Sequence, residues 1–182
     1  SGRTGAVRCK LLSAVVTYDL ATMATETGAQ REVAAETLSG NWREGVVGGL
    51  AGGLVVGAML STMMTDVIEI AIPSLYALAP PANGTLGWVV HMSHAAVLGV
   101  VFAAVVDVAG WGDRSSATLA GAGLAYGVVL WVALAVLVMP VWLDAVGSPA
   151  NPPLPNVSYT SLLGHLAYGV VLGAVYAAAR DL

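Results

Sequence analysis

Five side chains in this sequence carry chemistry that its apolar surroundings do not: Asp66, Glu69, His91, His94 and His165. Neutral imidazole suits zinc, copper, nickel or iron, and carboxylates can complete the shell, so the five are candidate ligands of a transition metal. His91 and His165 could instead hold a haem iron from two sides, or the group could pass protons or ions. A structural reading stands beside these, in which neutral histidines hydrogen-bond between helices and the two carboxylates are solvated. His91 and His94, three apart, project from one helix face.

Other chemistries are excluded. Lys10 is the single lysine and lies outside every apolar tract, which rules out a retinal Schiff base. There is no phosphate-binding Gly-Lys-Ser/Thr loop, no nucleophile elbow and no His-Glu-x-x-His. The single cysteine, Cys9, excludes an internal disulfide and a cysteine metal cluster. A net charge of −4 gives no basic footprint for nucleic acid. The residue types point away from an enzyme.

The elements that position the five residues follow from charge and hydropathy. Hydrophobic residues make up 57% of the chain and charged residues 10%, with a mean hydropathy of +0.79, too little charge to cover a globular surface in water. Ten of the eighteen charged residues lie in residues 1–44. The chain therefore divides into a polar N-terminal arm, 1–44, and a lipid-soluble domain, 45–182, whose contact surface is membrane lipid. Uncharged tracts run from Ile70 to Val106, Ser115 to Leu143 and Ala145 to Ala179. A helix of roughly 20 apolar residues crosses a bilayer, which predicts spans at 45–65, 86–106, 117–139 and 158–179. The proline-rich stretches "IAIPSLYALAPPANG" and "AVGSPANPPLPNVS" read as loops or interfacial segments. In the arm, "MATETGAQREVAAETLSGNW" looks like a start at Met23, and residues 1–22 are expected to be a disordered extension.

"HMSHAAVLGVVFAAVVD" at His91 reappears as "HLAYGVVLGAVYAAARD" at His165, an offset of 74 that also carries "GLAGGLV" at Gly49 onto "GLAYGVV" at Gly123. One register thus relates residues 45–108 to 119–182. It predicts an all-α, integral membrane four-helix bundle made of two tandem helical hairpins in the same orientation. His91 and His165 then lie at one level, about 8–10 Å below the ends of their helices at 1.5 Å per residue. Tyr168 stands where the first copy has His94. Gly45, Gly49, Gly53 and Gly57 recur every four residues, and Gly99, Gly123, Gly127 and Gly173 belong to related small-residue ladders. Such a strip lets two helix backbones approach closely in lipid.

Arg43, Arg114 and Arg180 flank helix ends on one side, whereas loops 66–85 and 140–157 hold Asp66, Glu69 and Asp144 and no Lys or Arg. The positive-inside rule places both termini in the cytoplasm of a multi-pass cell-membrane protein. The glycosylation-type sequons at Asn83 and Asn156 fall in the outer loops. Trp42, Trp88, Trp111 and Trp142 fall near predicted interfaces, whereas Trp131 is placed to pack within the third span.

At "GGLAGGLVVGAMLSTMM", "WVVHMSHAAVLGVVFA", "YGVVLWVALAVLVMP" and "GHLAYGVVLGAVYA" the chain resembles the small four-helix membrane proteins of halophilic archaea, over residues 41–181. The resemblance implies a four-helix fold and carries over no functional residue. Some members resemble proteins labelled histidine kinase, a label this sequence does not support because it has no ATP-binding domain. The leading expectation is a non-enzymatic membrane protein, a homo-oligomer or a subunit of a larger membrane complex. Its rival is a small metal or ion transporter, or a haem- or metal-binding subunit, built around His91, His94 and His165.

Overall fold

The computed structural model describes residues 41–180. The polar arm up to residue 40, with its expected extension at 1–22, lies outside the described residues, as do Asp181 and Leu182. Four helices are long and apolar enough to cross a membrane: α1 (Trp42–Met63), α2 (Gly84–Val108), α3 (Ser116–Ala145) and α4 (Tyr159–Arg180), with mean hydropathies of 1.8, 2.1, 2.4 and 1.7. Among the described residues there is no strand, so the fold is all-α. A 22-residue helix measures about 33 Å, the thickness of a hydrocarbon core. Apolar side chains cover the outside; Val97 and Val129 are each 61% exposed. Such a surface is at home in lipid, where the backbone must be satisfied internally and helices achieve this within the segment.

Local chemistry sets the helix starts. The Asn83 side chain accepts from Leu86 N at 3.0 Å, Ser115 Oγ accepts from Thr118 N at 3.3 Å, and Ser158 Oγ accepts from Ser161 N at 3.3 Å. The two connections within hairpins, 64–83 and 146–158, lie at one end of the bundle, here the hairpin end. Asn41, the 109–115 turn and Arg180 lie at the other, the terminal end.

Three of the four expected spans end within a few residues of the observed helices; α3 differs. It was expected to stop at 139 before a loop, yet it continues through Pro140 to Ala145. The reason lies in a π-helical segment, Trp131–Val138, whose ladder runs from residue i to i+5, so that Met139 N–H reaches Leu134 O. The next rung would join residue 140 to Ala135 O, but proline has no N–H. Asn156 supplies the missing donors: its side-chain amide donates to Ala135 O at 3.2 Å and its backbone N–H to Val136 O at 3.1 Å. With both carbonyls satisfied, the helix proceeds.

The first connection repeats this device, and it too departs from the loop expected at 66–85. A π-helical segment, Val67–Ala71, runs into a short α-helical piece, Ile72–Ser74, and Ile68, Ala71, Ile72, Pro73 and Ser74 are buried. Ile72 N–H reaches Val67 O, and the next rung falls on Pro73. Asn83 N–H donates to Glu69 O at 2.9 Å, while Ile68 O abuts Gly87, where any side chain would collide. Ile68, Ile72 and Val90 form a small apolar cluster with Trp88 beside it, so this connection is packed onto α2.

Glycine decides how the long helices meet. A methyl group built on Gly45 would lie 2.5 Å from Gly99 O, and one on Gly49 would strike Ala95 O. Gly57 opens a place for the Trp88 ring. The α3–α4 seam has the same construction: Gly123 faces Gly169 O, Gly127 faces His165 O and Gly173 faces Leu119 O. The pairs Gly49·Ala95 and Gly123·Gly169 differ by 74 in both members, as do Gly45·Gly99 and Leu119·Gly173. The α1–α4 seam uses the other side of α1, where a methyl on Gly48 would lie 2.8 Å from Leu172 O and one on Gly52 2.9 Å from Tyr168 O.

The fourth seam is different. At the position of α3 that corresponds to Gly52 of α1 stands Tyr126, and the α2 and α3 backbones remain apart. Side chains fill the gap. Tyr126 donates to Leu98 O at 2.9 Å and its ring lies 5.5 Å from that of Phe102. Phe102 in turn meets Tyr176 edge-on at 5.6 Å. The core therefore runs along the bundle axis through Phe102, Val106, Leu119, Leu130, Tyr168, Leu172 and Tyr176.

Candidate functional site

His91 leaves α2 towards α1, and its Nε2–H donates to Gly53 O at 2.9 Å. That carbonyl is reachable because a glycine strip brings α1 against α2. The edge of the His91 ring meets Trp88, with centroids 6.3 Å apart and planes at 90°. His165, its counterpart on α4, donates from Nδ1 to Ser161 O one turn earlier in its own helix, at 2.8 Å. The two histidines have corresponding sequence positions, yet one bonds across a seam and the other along its helix. Both are half-buried.

His94 turns elsewhere. Its Nε2 shares a hydrogen bond of 2.7 Å with the hydroxyl of Tyr76, contributed by the first connection, and the rings lie 5.7 Å apart. Trp142 of α3 donates from its indole N–H to Leu75 O at 2.9 Å, fastening α3 to that same connection. Asp66 is exposed at the hairpin end. Glu69 is half-buried alongside Gly84, its Oε1 lying 3.5 Å from where a methyl on that glycine would be.

The structure does not bring the five sequence candidates together. Among the described residues, no three His, Cys, Asp or Glu side chains are grouped to hold a metal ion. The carboxylates belong to the connection that precedes α2. Each imidazole has one nitrogen engaged by a backbone carbonyl or a phenol. What His91 can do chemically is hold α1 and α2 in register: an interhelical hydrogen bond in lipid replaces a contact that water cannot supply.

Sequence reasoning marked the position of Tyr168 but missed the bonds that it and Tyr126 make. Tyr168, at the position of His94, passes over Gly52 and donates from its hydroxyl to Ala95 O across the bundle at 2.7 Å. Tyr126 makes the equivalent type of bond to Leu98 O. The available signal was polarity: Tyr126, Tyr168 and Tyr176 lie inside spans where a phenol needs a partner. Trp131 of α3 is half-buried, and its indole N–H is the one buried side-chain polar atom without a partner among the described residues. At the terminal end, Arg180 closes the molecule by donating to the carbonyls of Gly112 and Arg114.

No curated protein matches the chain, and no solved structure does. A family model does, over residues 40–181, which takes in all four helices and both connections. With that match spanning well over half of its length, the chain belongs to DUF6789, a family of unknown function.

Proposed function

We propose that this protein is a non-enzymatic, multi-pass membrane protein that acts as an oligomeric subunit, associating with further copies through the outer face of α3. The observation that carries the reading is Gly121. Glycine inside a helix costs about 1 kcal/mol relative to alanine. Every other glycine within the four long helices has atoms of this chain within 4 Å of where a Cβ would be; around Gly121 there are none. Ala117 and Ala125 stand one turn before and after it, and all three are exposed. A strip of small residues on a lipid-facing surface is the shape that receives another helix.

The histidine chemistry supports a structural role. Gly53 O, Ser161 O and the Tyr76 hydroxyl already occupy one nitrogen of each imidazole. The contact pairs that differ by 74 in both members support a duplicated hairpin, with the two halves in the same orientation. Arg43, Arg114 and Arg180 belong to the terminal end and Asp66, Glu69 and Asp144 to the hairpin end, which supports cytoplasmic termini in the cell membrane.

The test is quantitative crosslinking of single-cysteine variants in vesicles, after Cys9→Ser. Cysteine at Gly121 or Ala125 should form intermolecular disulfides, whereas cysteine at Val97 on α2 should not. Equal, low crosslinking at all three positions would overturn the assignment.

A further inference from the structure

The four helices form a ring whose seams are unequal. Along α1–α2, α3–α4 and α1–α4, carbonyl oxygens lie against glycines that leave no room for a methyl group. Along α2–α3 the backbones stay apart. That side is held by the Tyr126 hydroxyl on Leu98 O, the Phe102–Tyr126 ring contact and the Trp142 indole on Leu75 O.

We propose that the bundle opens along the α2–α3 seam, which forms a lateral gate between the surrounding lipid and the polar groups inside. Three observations converge on this seam. First, side-chain hydrogen bonds and ring contacts alone, those of Tyr126, Tyr168 and Phe102 and the Trp142 indole on the first connection, hold that side, whereas parting any other seam separates a run of closely fitted backbones. Second, α3 contains the π-helical segment Trp131–Val138 followed by Pro140, where the internal ladder is interrupted and two carbonyls depend on Asn156. The half of α3 that carries Trp142 is therefore tied less firmly to the half that carries Tyr126. Third, the gate opens on a buried polar group: the Tyr168 hydroxyl, which donates to Ala95 O, lies in the core behind it. An apolar molecule with one hydrogen-bonding head, arriving sideways from the bilayer, would meet the Tyr168 hydroxyl there.

The experiment is pulsed electron-spin distance measurement on the full-length chain in lipid nanodiscs, in a Cys9→Ser background. One label pair, at Val97 and Val129, spans α2–α3; both sites are 61% exposed, so labels are accommodated. The control pair, at Val55 and Val171, occupies the corresponding positions across α1–α4. The 97–129 distances should be broad or two-peaked and the 55–171 distances single and narrow. Tyr126→Phe should raise the longer-distance share of the 97–129 pair about threefold, the effect of losing one interhelical hydrogen bond. A 97–129 distribution as narrow as the control overturns the gate, and a broad one that Tyr126→Phe leaves unchanged overturns Tyr126 as its clasp.

Discussion

Replacing Asn156 by alanine tests how α3 crosses a proline. The side-chain amide of Asn156 donates to Ala135 O, the carbonyl that the i to i+5 ladder would have joined to residue 140. Asn156→Ala removes that donor and leaves the backbone bond to Val136 O in place. An unsatisfied buried carbonyl costs about 1–3 kcal/mol. Asn156 is half-buried near a helix end, where some water competes, so the expected loss is near the lower figure, about 1 kcal/mol. Pro140→Ala restores an N–H at the position that reaches Ala135 O. In that background the same Asn156→Ala change should cost almost nothing, a coupling of about 1 kcal/mol in a double-mutant cycle. The assay is reversible unfolding in mixed micelles, followed by tryptophan fluorescence, with protein from a host that does not glycosylate Asn156. Equal losses in both backgrounds, within about 0.5 kcal/mol, would refute the claim that Asn156 stands in for the proline's missing donor.

Further outcomes follow from the same contacts. Gly49→Ala and Gly123→Ala should each destabilise by about 1–3 kcal/mol, because the added methyl meets the carbonyl of Ala95 or Gly169 on a packed helix; thermal unfolding measures this. Gly121→Ala should stabilise the isolated chain in detergent by up to about 1 kcal/mol, since helix propensity improves and nothing is displaced; a loss there would mean that α3 packs differently. Tyr168→Phe should cost about 0.6 kcal/mol, a typical interhelical hydrogen bond in a membrane, by the same unfolding assay. Membrane-impermeant thiol labelling on intact cells should modify cysteine at Asp144 and spare cysteine at Arg114; the opposite pattern would reverse the orientation.

The four helices were legible because crossing a bilayer needs a long uncharged tract, and local composition records that directly. The glycine strips were legible for a related reason: spacing of four puts residues on one face whatever lies opposite. Helix rotation was harder to read. All faces of α2 and α3 are apolar, so the sequence marks no inward side, and the partners of His91, His94 and His165 depend on that rotation. The path of α3 beyond Met139 was illegible for another reason. A proline marks the end of a helix when its freed carbonyls go unanswered. Here the answer comes from Asn156, sixteen residues after Pro140 in sequence and brought to it by the hairpin. Pro73 and Asn83 hide the same relation in the first connection, where the buried turn at Ile68–Ser74 looked like a loop. Asp66 and Glu69 precede the histidines closely in sequence, but the connection that holds them brings Tyr76, not a carboxylate, to His94, and leaves Asp66 exposed and Glu69 beside Gly84.

The most direct test of the central claim is the number of copies per particle in native-like membranes, counted by stepwise photobleaching of fluorescently tagged protein extracted in polymer nanodiscs. The wild-type chain should show more than one copy, and Gly121→Leu should reduce it to one while its helical content is kept and the unfolding midpoint of the isolated chain in detergent does not fall. A wild-type chain found as single copies, or a Gly121→Leu variant that assembles as fully as the wild type, would contradict the account.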